Sequence, residues 1–182
     1  MKRSRSLKLA LMSASVLTVA ACDKPEEVAI FENLEQCINE AGFEREVCEA
    51  HLNTAKQEHV RVSPKYTSAA DCEADFGAAQ CEVAPQQTSS GGSVFMPLMM
   101  GYMMGNMLAG NSRVATQPLY RSKDNPGNFR TADNQKVAGK TGISKVPSSV
   151  TKAPTTKTRT TRRNGFGATA ARNAGRVRSF GG

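Results

Sequence analysis

The chain of 182 residues is poor in the groups that most enzymes use for catalysis or metal binding. It has two histidines, His51 and His59, and a separation of eight residues on one helix is too long for both to bind one ion. Neither histidine has an obvious serine or cysteine nucleophile as a partner. No glycine-rich phosphate loop precedes a predicted helix, and the cysteine spacings do not resemble the CxxC pairs of zinc sites. The sequence therefore predicts no catalytic residues, no bound metal and no cofactor.

Long hydrophobic runs are also missing, because no stretch reaches the roughly 20 apolar residues that a membrane-spanning helix needs. Residues 9–20 are uncharged but too short, and they connect a basic start to the small residue Ala21 and then Cys22. This order is typical of a bacterial lipoprotein signal, in which the chain is cut before Cys22 and its thiol receives acyl chains such as palmitate. An ordinary secretory signal cut after Ala21 is the alternative. Both place the mature chain outside the cytoplasm, and in enteric-type bacteria Asp23 favours the inner membrane, facing the periplasm.

Acidic residues almost disappear from the C-terminal part of the chain. Residues 111–182 contain 15 basic residues and two acidic ones, Asp124 and Asp133, which gives a net charge of +13. Residues 23–90 contain 14 acidic and 5 basic residues, a net charge of −9. We therefore predict an acidic head, a neutral methionine-rich middle and a basic tail, of which only the head folds alone.

The head contains a short duplication with one order of residues: an aromatic residue, a cysteine, a phenylalanine and a second cysteine. The positions are Phe31, Cys37, Phe43 and Cys48 in the first copy, and Tyr66, Cys72, Phe76 and Cys81 in the second. Asn33 and Ser68 are predicted N-caps, and Gly42 and Gly77 are predicted to end the two helices that follow them. A further helix is predicted from about residue 43 to residue 58, ended by Ser63-Pro64.

Cysteines other than Cys22 are even in number, as a disulfide framework in an oxidising compartment requires. Three connectivities are possible. The duplication favours Cys37–Cys48 and Cys72–Cys81, because each copy would then carry its own bridge. Loops of this size contribute roughly 2–3 kcal/mol of stability each in the chain-entropy model.

Six of the eight methionines lie in the middle segment, which follows a predicted flexible linker. Gly101 and Gly105 form a GxxxG pair, so we predict an apolar helix that contacts a membrane surface or a partner protein. Packing on the head, a membrane span, and copper(I) binding by a stripe of methionines are the alternatives. The predicted contact residues are Met96, Met99, Met100, Gly101, Tyr102, Met103, Met104, Gly105 and Met107, and the copper stripe would use Met96, Met100, Met103 and Met107.

The basic tail is rich in Thr, Lys, Arg, Gly, Ala and Pro and is predicted to be largely disordered. Outside the cytoplasm its partners would be anionic lipid, lipopolysaccharide or wall polymers rather than nucleic acid. A purely solubilising tail, or one that folds back on the acidic head, is the alternative.

Several short motifs resemble the YgiB-type family of uncharacterised enterobacterial envelope proteins. They are the Ala20-Ala21-Cys22 signal, the module from Tyr66 to Cys81, the segment 96–105 with its MPLM and GYMMG strings, Gln117-Pro118-Leu119-Tyr120, Gly165-Phe166-Gly167 and the Gly-Gly terminus. The resemblance covers nearly the whole chain, and it implies an architecture without an assigned activity.

Together these observations predict a mainly α protein: a small disulfide-linked helical head, a Met/Gly-rich apolar helix and a largely disordered basic tail. We expect a non-enzymatic, lipid-anchored envelope protein that acts as an interaction or scaffold protein, with periplasmic copper(I) handling as the alternative function. The predicted boundaries are 1–21 for the signal, 22–30 for a lipidated tether, 31–85 for the head, 86–93 for the linker, 94–110 for the apolar helix and 111–182 for the tail.

Overall fold

The computed structural model describes residues 24–88, 90–105 and 114–154. The strands in these ranges are β1 (Glu26–Phe31), β2 (Cys81–Gln87), β3 (Ser93–Pro97), β4 (Gly101–Gly105), β5 (Gln117–Ser122), β6 (Asn125–Arg130) and β7 (Gly142–Val146). The helices are α1 (Leu34–Ala41), α2 (Arg45–Val62), α3 (Ala69–Phe76) and α4 (Ser148–Thr151). Within these residues, no helix combines the length and the apolar character needed to cross a bilayer.

A five-stranded antiparallel sheet in the order β6-β5-β4-β1-β7 forms the centre of the protein. In β1, Ile30 lies opposite Met103 of β4. Because successive strand residues point to opposite faces, Val28 and Ile30 join one hydrophobic cluster with Met103, whereas Ala29 and Phe31 join another. The apolar run in β1 is therefore explained by burial on both faces of the sheet.

The helices α1 and α2 pack on one face of this sheet, and the short helix α4 packs on the other. The first two helices contribute Cys37, Cys48 and Ala55 to the cluster around Phe31. On the opposite face, Val150 of α4 packs in the cluster around Ile30. The β2–β3 hairpin packs beside α3.

The duplication is visible in three dimensions. Asn33 and Ser68 each accept a hydrogen bond from the backbone N–H three residues later, at 3.0 and 3.1 Å. In each copy the leading aromatic ring meets the phenylalanine edge to face, with ring centroids 6.3 Å apart for Phe31–Phe43 and 6.1 Å apart for Tyr66–Phe76. The predicted disulfide pairing is confirmed, since the bridges are Cys37–Cys48 and Cys72–Cys81. Gly42 ends α1 in the left-handed conformation, with φ of 67°.

The predicted mainly α fold class is wrong, because the structure is mostly β. In place of the apolar helix predicted for 94–110, residues 94–105 form most of β3 and all of β4, joined by residues 98–100, and residues 106–110 lie outside the described part of the chain. A short apolar run fits a buried strand as well as a buried helix, and only its pairing partners decide between them. Here β3 pairs with β2, and β4 pairs with both β1 and β5.

Gly101 serves the sheet and not a helix–helix contact. A Cβ atom at this position would lie 2.7 Å from the carbonyl oxygen of Phe31 and 3.2 Å from the ring of Phe129. The glycine therefore allows the chain at the start of β4 to approach β1 closely.

Three further predictions need correction. The disordered tail predicted from residue 111 is wrong for 114–154, which contain β5, β6, β7 and α4. The predicted tether, 22–30, includes most of β1, the strand between β4 and β7. Of the predicted linker, 86–93, residues 86–87 belong to β2 and Ser93 belongs to β3, and in the turn between them the N–H of Thr88 donates to the carbonyl of Gly92 at 2.9 Å; Ser89 lies outside the described residues. The basic residues 155–182 lie outside the described part of the chain.

Candidate functional site: a buried polar network around His59

A group of polar side chains lies where the C-terminal end of α2 meets β2, β3 and β5. Its members share hydrogen bonds although they come from four separate parts of the sequence. They are His59 and Ser63 from α2 and its cap, Lys65 just after it, Glu82 on β2, Met96 on β3 and Tyr120 on β5.

Local sequence explains how these groups reach one another. The α2 helix runs four residues beyond its predicted end and stops at Ser63, whose N–H donates to the carbonyl of His59 at 3.1 Å. Pro64 prevents the helix from continuing. Tyr66 then forms two backbone hydrogen bonds with Phe95, of 2.8 and 2.9 Å, which hold β3 against the end of the helix.

His59 is the centre of the network and is only 6% exposed. Its Nε2 lies 2.9 Å from Oε1 of Glu82, and its Nδ1 lies 2.9 Å from the hydroxyl oxygen of Tyr120. An ionised carboxylate only accepts hydrogen bonds, so Nε2 carries the proton in the neutral ring and Nδ1 accepts from Tyr120. Burial lowers the pKa of His59, although the hydrogen bond and the charge of Glu82 act in the opposite direction.

Lys65 supplies the cationic end of the network. Its Nζ donates to the hydroxyl of Ser63 and, at 2.9 Å, to the carbonyl of Val60. The Ser63 hydroxyl donates to the sulfur of Met96 at 3.3 Å, and an interaction with Ser63 opposes the effect of burial on the pKa of Tyr120. Burial lowers the pKa of Lys65 to about 8, against the opposing charge of Glu82.

A second buried pair lies beside this network. The hydroxyl of Tyr66 donates to Oδ2 of Asp75 at 2.9 Å, and both residues are about 5% exposed. Burial and the nearby Asp75 carboxylate raise the pKa of Tyr66. Burial also raises the pKa of Tyr120 well above its ordinary value. Both phenols are therefore neutral hydrogen-bond donors at physiological pH.

The network includes a serine beside a lysine of lowered pKa, which is a known way of activating a hydroxyl nucleophile. Ser63, however, is completely buried, and its hydroxyl is surrounded by Lys65, Tyr120 and Met96. A substrate has no access to it in this structure. The arrangement can hold elements together and respond to protons, and within the described ranges no group of three His, Cys, Asp or Glu side chains could hold a metal ion.

The predicted contact residues lie mostly inside the protein. Tyr102, Met103 and Met104 are fully buried in β4, Met96 is 3% exposed, and Gly101 and Gly105 are buried as well. Met99 and Met100 are partly buried against the two faces of the sheet. Met107 lies outside the described residues. Met96 and the described residues of β4 therefore lie in hydrophobic clusters of the core, and Met99 and Met100 remain partly exposed.

The methionine stripe proposed for copper does not form in the described residues. Met100 and Met103 pack in the cluster around Ile30, whereas Met96 belongs to a separate cluster with Ala84 and Val94. The stripe assumed helical spacing, and the strand conformation of β3 and β4 removes it.

The remaining predicted positions are distributed as follows. The four disulfide cysteines hold α1 to α2 and α3 to β2. Cys22 lies outside the described residues. His51 is separate from His59 in its contacts, because its Nδ1 lies 2.6 Å from the hydroxyl oxygen of Thr116.

Sequence reasoning missed the network because its contacts are not local. His59 and Tyr120 are 61 residues apart, and His59 and Glu82 are 23 residues apart. The one available signal was the position of His59 in the last turn of an amphipathic helix, next to the helix-ending Ser63-Pro64 pair.

Comparison with known proteins identifies the family. A family profile described as "Protein of unknown function (DUF1190)" matches residues 25–176. A UPF0441 protein of Erwinia tasmaniensis is 36% identical over 180 residues, which cover 90% of this chain and 81% of the relative. A UPF0441 protein of Yersinia pestis is 35% identical over 197 residues, covering 96% and 86%.

A UPF0441 protein of Serratia proteamaculans is 34% identical over 192 residues, again covering 96% of this chain and 86% of the relative. No solved structure matches the chain significantly. The resemblance carried by the sequence motifs is thus confirmed over most of the chain, and the protein belongs to the DUF1190/UPF0441 family, the YgiB-type proteins of enterobacteria, whose members are uncharacterised.

Proposed function

We propose that this protein is a lipid-anchored, non-enzymatic protein of the bacterial envelope that acts by binding other envelope components. The observation that carries the proposal is the N-terminal sequence, in which a basic start and a short apolar run lead to Ala20-Ala21-Cys22. A lipid on Cys22 would hold the chain at the membrane, because each buried CH₂ contributes about 0.8 kcal/mol.

The disulfides support an extracytoplasmic location. Four of the five cysteines pair, and disulfides persist mainly in oxidising compartments. Cys22 is the cysteine outside both bridges, which suits a residue reserved for lipid.

The closed polar network supports a binding role over catalysis. Ser63 and His59 are the groups best placed for nucleophilic chemistry, and they are 0% and 6% exposed. Because the described part of the Met/Gly segment lies largely in the core, we assign the binding of envelope components to the outer surface and to residues 155–182. The latter contain seven basic residues and no acidic ones. Each such charge contributes about 1 kcal/mol of attraction near an anionic surface, so anionic lipid, lipopolysaccharide or wall polymer is the partner that fits.

Metabolic labelling with radioactive palmitate in the native host tests the anchor. The wild-type chain should be labelled and should sediment with membranes, whereas Cys22→Ser should lose the label and leave the membrane fraction. Label retained by Cys22→Ser, or a wild-type chain that is cut after Ala21 and carries no lipid, would contradict the proposal.

Sedimentation with lipid vesicles tests the basic segment separately. Replacing Arg159, Arg162 and Arg163 by Gln should weaken binding of the mature chain to vesicles of anionic lipid. The matched control replaces Lys136, Lys140 and Lys145, three exposed lysines of the folded part, by Gln. An equal loss of vesicle binding in both variants would show that only the net charge of the protein matters. No loss in either variant would show that residues 155–182 do not bind the anionic lipid.

A further inference from the structure

A cavity of about 220 Å³ lies where the start of β5, the turn after β6 and the end of α4 meet. None of the residues that line it belongs to the network around His59. Pockets for drug-sized ligands measure roughly 300–1,000 Å³, so this cavity has room for one much smaller molecule, about the size of an amino acid. The polar side chains in its wall decide which kind of small molecule it would hold.

Two buried side chains form the inner part of the cavity wall. Gln117, at the start of β5, is 1% exposed, and Thr131, just after β6, is 3% exposed. Nε2 of Gln117 donates to the carbonyl of Val150 in α4 at 2.9 Å. The hydroxyl oxygen of Thr131 accepts from the N–H of Gln135 at 3.2 Å. Both side chains are therefore fixed before any ligand arrives, as a specific binding site requires.

Each of these side chains keeps a hydrogen-bonding group that the described residues do not use. The amide oxygen of Gln117 has no donor among them, and the hydroxyl proton of Thr131 has no acceptor. Buried polar groups in proteins are normally paired, and clamping α4 to the sheet needs only Nε2 of Gln117. The acceptor and the donor that remain therefore indicate a ligand that offers one of each.

Charged side chains of both signs lie nearer to solvent in the same wall. Asp133 is partly exposed in the turn after β6, and Lys152 is exposed just after α4. An anion alone would meet the Asp133 carboxylate as a like charge, and a cation alone would meet the Lys152 ammonium. A zwitterion can place each of its charges against the opposite one, in charge-assisted hydrogen bonds that are about twice as strong as neutral ones.

We propose that this cavity binds a free α-amino acid whose side chain ends in a polar group that both donates and accepts, such as the carboxamide of glutamine. Lys152 pairs with the ligand's carboxylate, and Asp133 pairs with its ammonium group. The Thr131 hydroxyl donates to the carboxamide oxygen, and the amide oxygen of Gln117 accepts from the carboxamide N–H. The site goes beyond the proposed function, because it uses neither the lipid anchor nor the basic segment.

NMR titration of the ¹⁵N-labelled full chain with L-glutamine tests the site directly. Signals of the Gln117 side-chain amide and of the Thr131 and Gln135 backbone amides should shift and saturate, with a Kd of about 1 mM or below. Amides that pair β1 with β4 should not move. No shift at a glutamine concentration of about 20 mM, or equal small shifts across all strands, would overturn the proposal.

Analogues that lack one charge test the zwitterion. N-acetyl-L-glutamine has no ammonium group and L-glutamine amide has no α-carboxylate, so each should bind at least about tenfold more weakly than glutamine. L-leucine keeps both charges but offers no side-chain hydrogen bonds, and it should also bind more weakly. If either charge-lacking analogue binds as tightly as glutamine, the ligand is not a zwitterion and the proposal fails.

Lys152→Met and its matched control, Lys145→Met, test the residue assignment. Lys152 lines the cavity, whereas Lys145 is an exposed lysine of β7 outside it. Lys152→Met should weaken glutamine binding at least about tenfold and leave the weak binding of L-glutamine amide unchanged, because that analogue has no carboxylate to pair. Lys145→Met should bind glutamine like the wild type. A wild-type Kd in Lys152→Met, or an equal loss in Lys145→Met, would refute the site.

Discussion

The hydroxyl oxygen of Tyr120 lies 2.9 Å from Nδ1 of His59, although 61 residues separate them in the sequence. Tyr102, on the neighbouring strand β4, is equally buried, but its hydroxyl has no hydrogen-bond partner in the described part of the chain. Two fully buried phenols in one sheet thus differ in whether their polar atom is satisfied. A buried hydroxyl without a partner costs stability, whereas a paired one contributes to it.

This contrast predicts opposite effects of one substitution. Tyr120→Phe should lower the free energy of unfolding by about 1–3 kcal/mol, because it leaves Nδ1 of His59 buried without a donor. Tyr102→Phe should leave the free energy unchanged or raise it by up to about 1 kcal/mol. Urea unfolding of the full chain measures both variants. A loss of the same size at Tyr102 would mean that its hydroxyl has a partner after all.

Gly101 offers a second matched pair of substitutions. Gly101→Ala should cost about 1–3 kcal/mol, because the new Cβ would lie 2.7 Å from the Phe31 carbonyl, and backbone must move to relieve the contact. Gly127→Ala in β6 is the control, since a Cβ there meets nothing within 4 Å. Thermal unfolding of the two variants compares them. Equal melting temperatures would show that β1 and β4 separate at this point without cost.

Local signals predicted the parts of this fold that depend on neighbours in sequence. The caps Asn33 and Ser68 and the pairing of four cysteines follow from short-range spacing, and all are present. The five-stranded sheet depends instead on β1 pairing with β4, which lies more than 60 residues later. The spacing of Gly101 and Gly105 fits a helix face. Nothing in the local sequence reveals that the carbonyl of Phe31, on the neighbouring strand, approaches Gly101 closely.

The segregation of charge led to the wrong prediction that the chain is disordered from residue 111 through the described residues 114–154. The reason is again that contacts distant in sequence, and not local composition, decide whether these residues fold. Lys145 in β7 is exposed at the edge of the sheet, and Arg121 in β5 reaches across to Glu32 at 3.0 Å. Lys145 is exposed and Arg121 is partly exposed, whereas their neighbours Val146 and Tyr120 are buried. A high net charge therefore did not prevent residues 114–154 from folding. The polar network was unpredictable for the same reason as the sheet, because its members meet only after folding.

The disulfides should contribute separately to stability. Replacing Cys37 and Cys48 by Ser, or Cys72 and Cys81 by Ser, should each lower the free energy of unfolding by about 2–3 kcal/mol, given loops of 11 and 9 residues. The two bridges lie in different hydrophobic clusters, so the losses should add to within about 0.5 kcal/mol. Urea unfolding of the two double variants and the quadruple variant provides the comparison. Strong non-additivity would indicate that the two copies of the repeat stabilise each other.

Lys65 and the buried tyrosines predict a maximum of stability in the alkaline range. An unfolded lysine holds its proton to about pH 10.4, whereas burial lowers the pKa of folded Lys65 to about 8. Between these values the unfolded state binds more protons, so the free energy of unfolding should rise with pH. Above about pH 10 the sign reverses, because burial raises the pKa of folded Tyr102 to about 12 and the unfolded phenol loses its proton first.

Urea unfolding at intervals between about pH 7 and 11 should therefore show a rise followed by a fall. Lys65→Gln removes the titrating ammonium and should lose the rise, while the fall caused by the tyrosines should persist. Tyr102→Phe should reduce the fall and leave the rise intact. A wild-type stability that declines steadily from pH 8, or a rise that survives in Lys65→Gln, would show that Lys65 keeps its proton in the folded protein, and the cationic end of the network would then be a permanent charge.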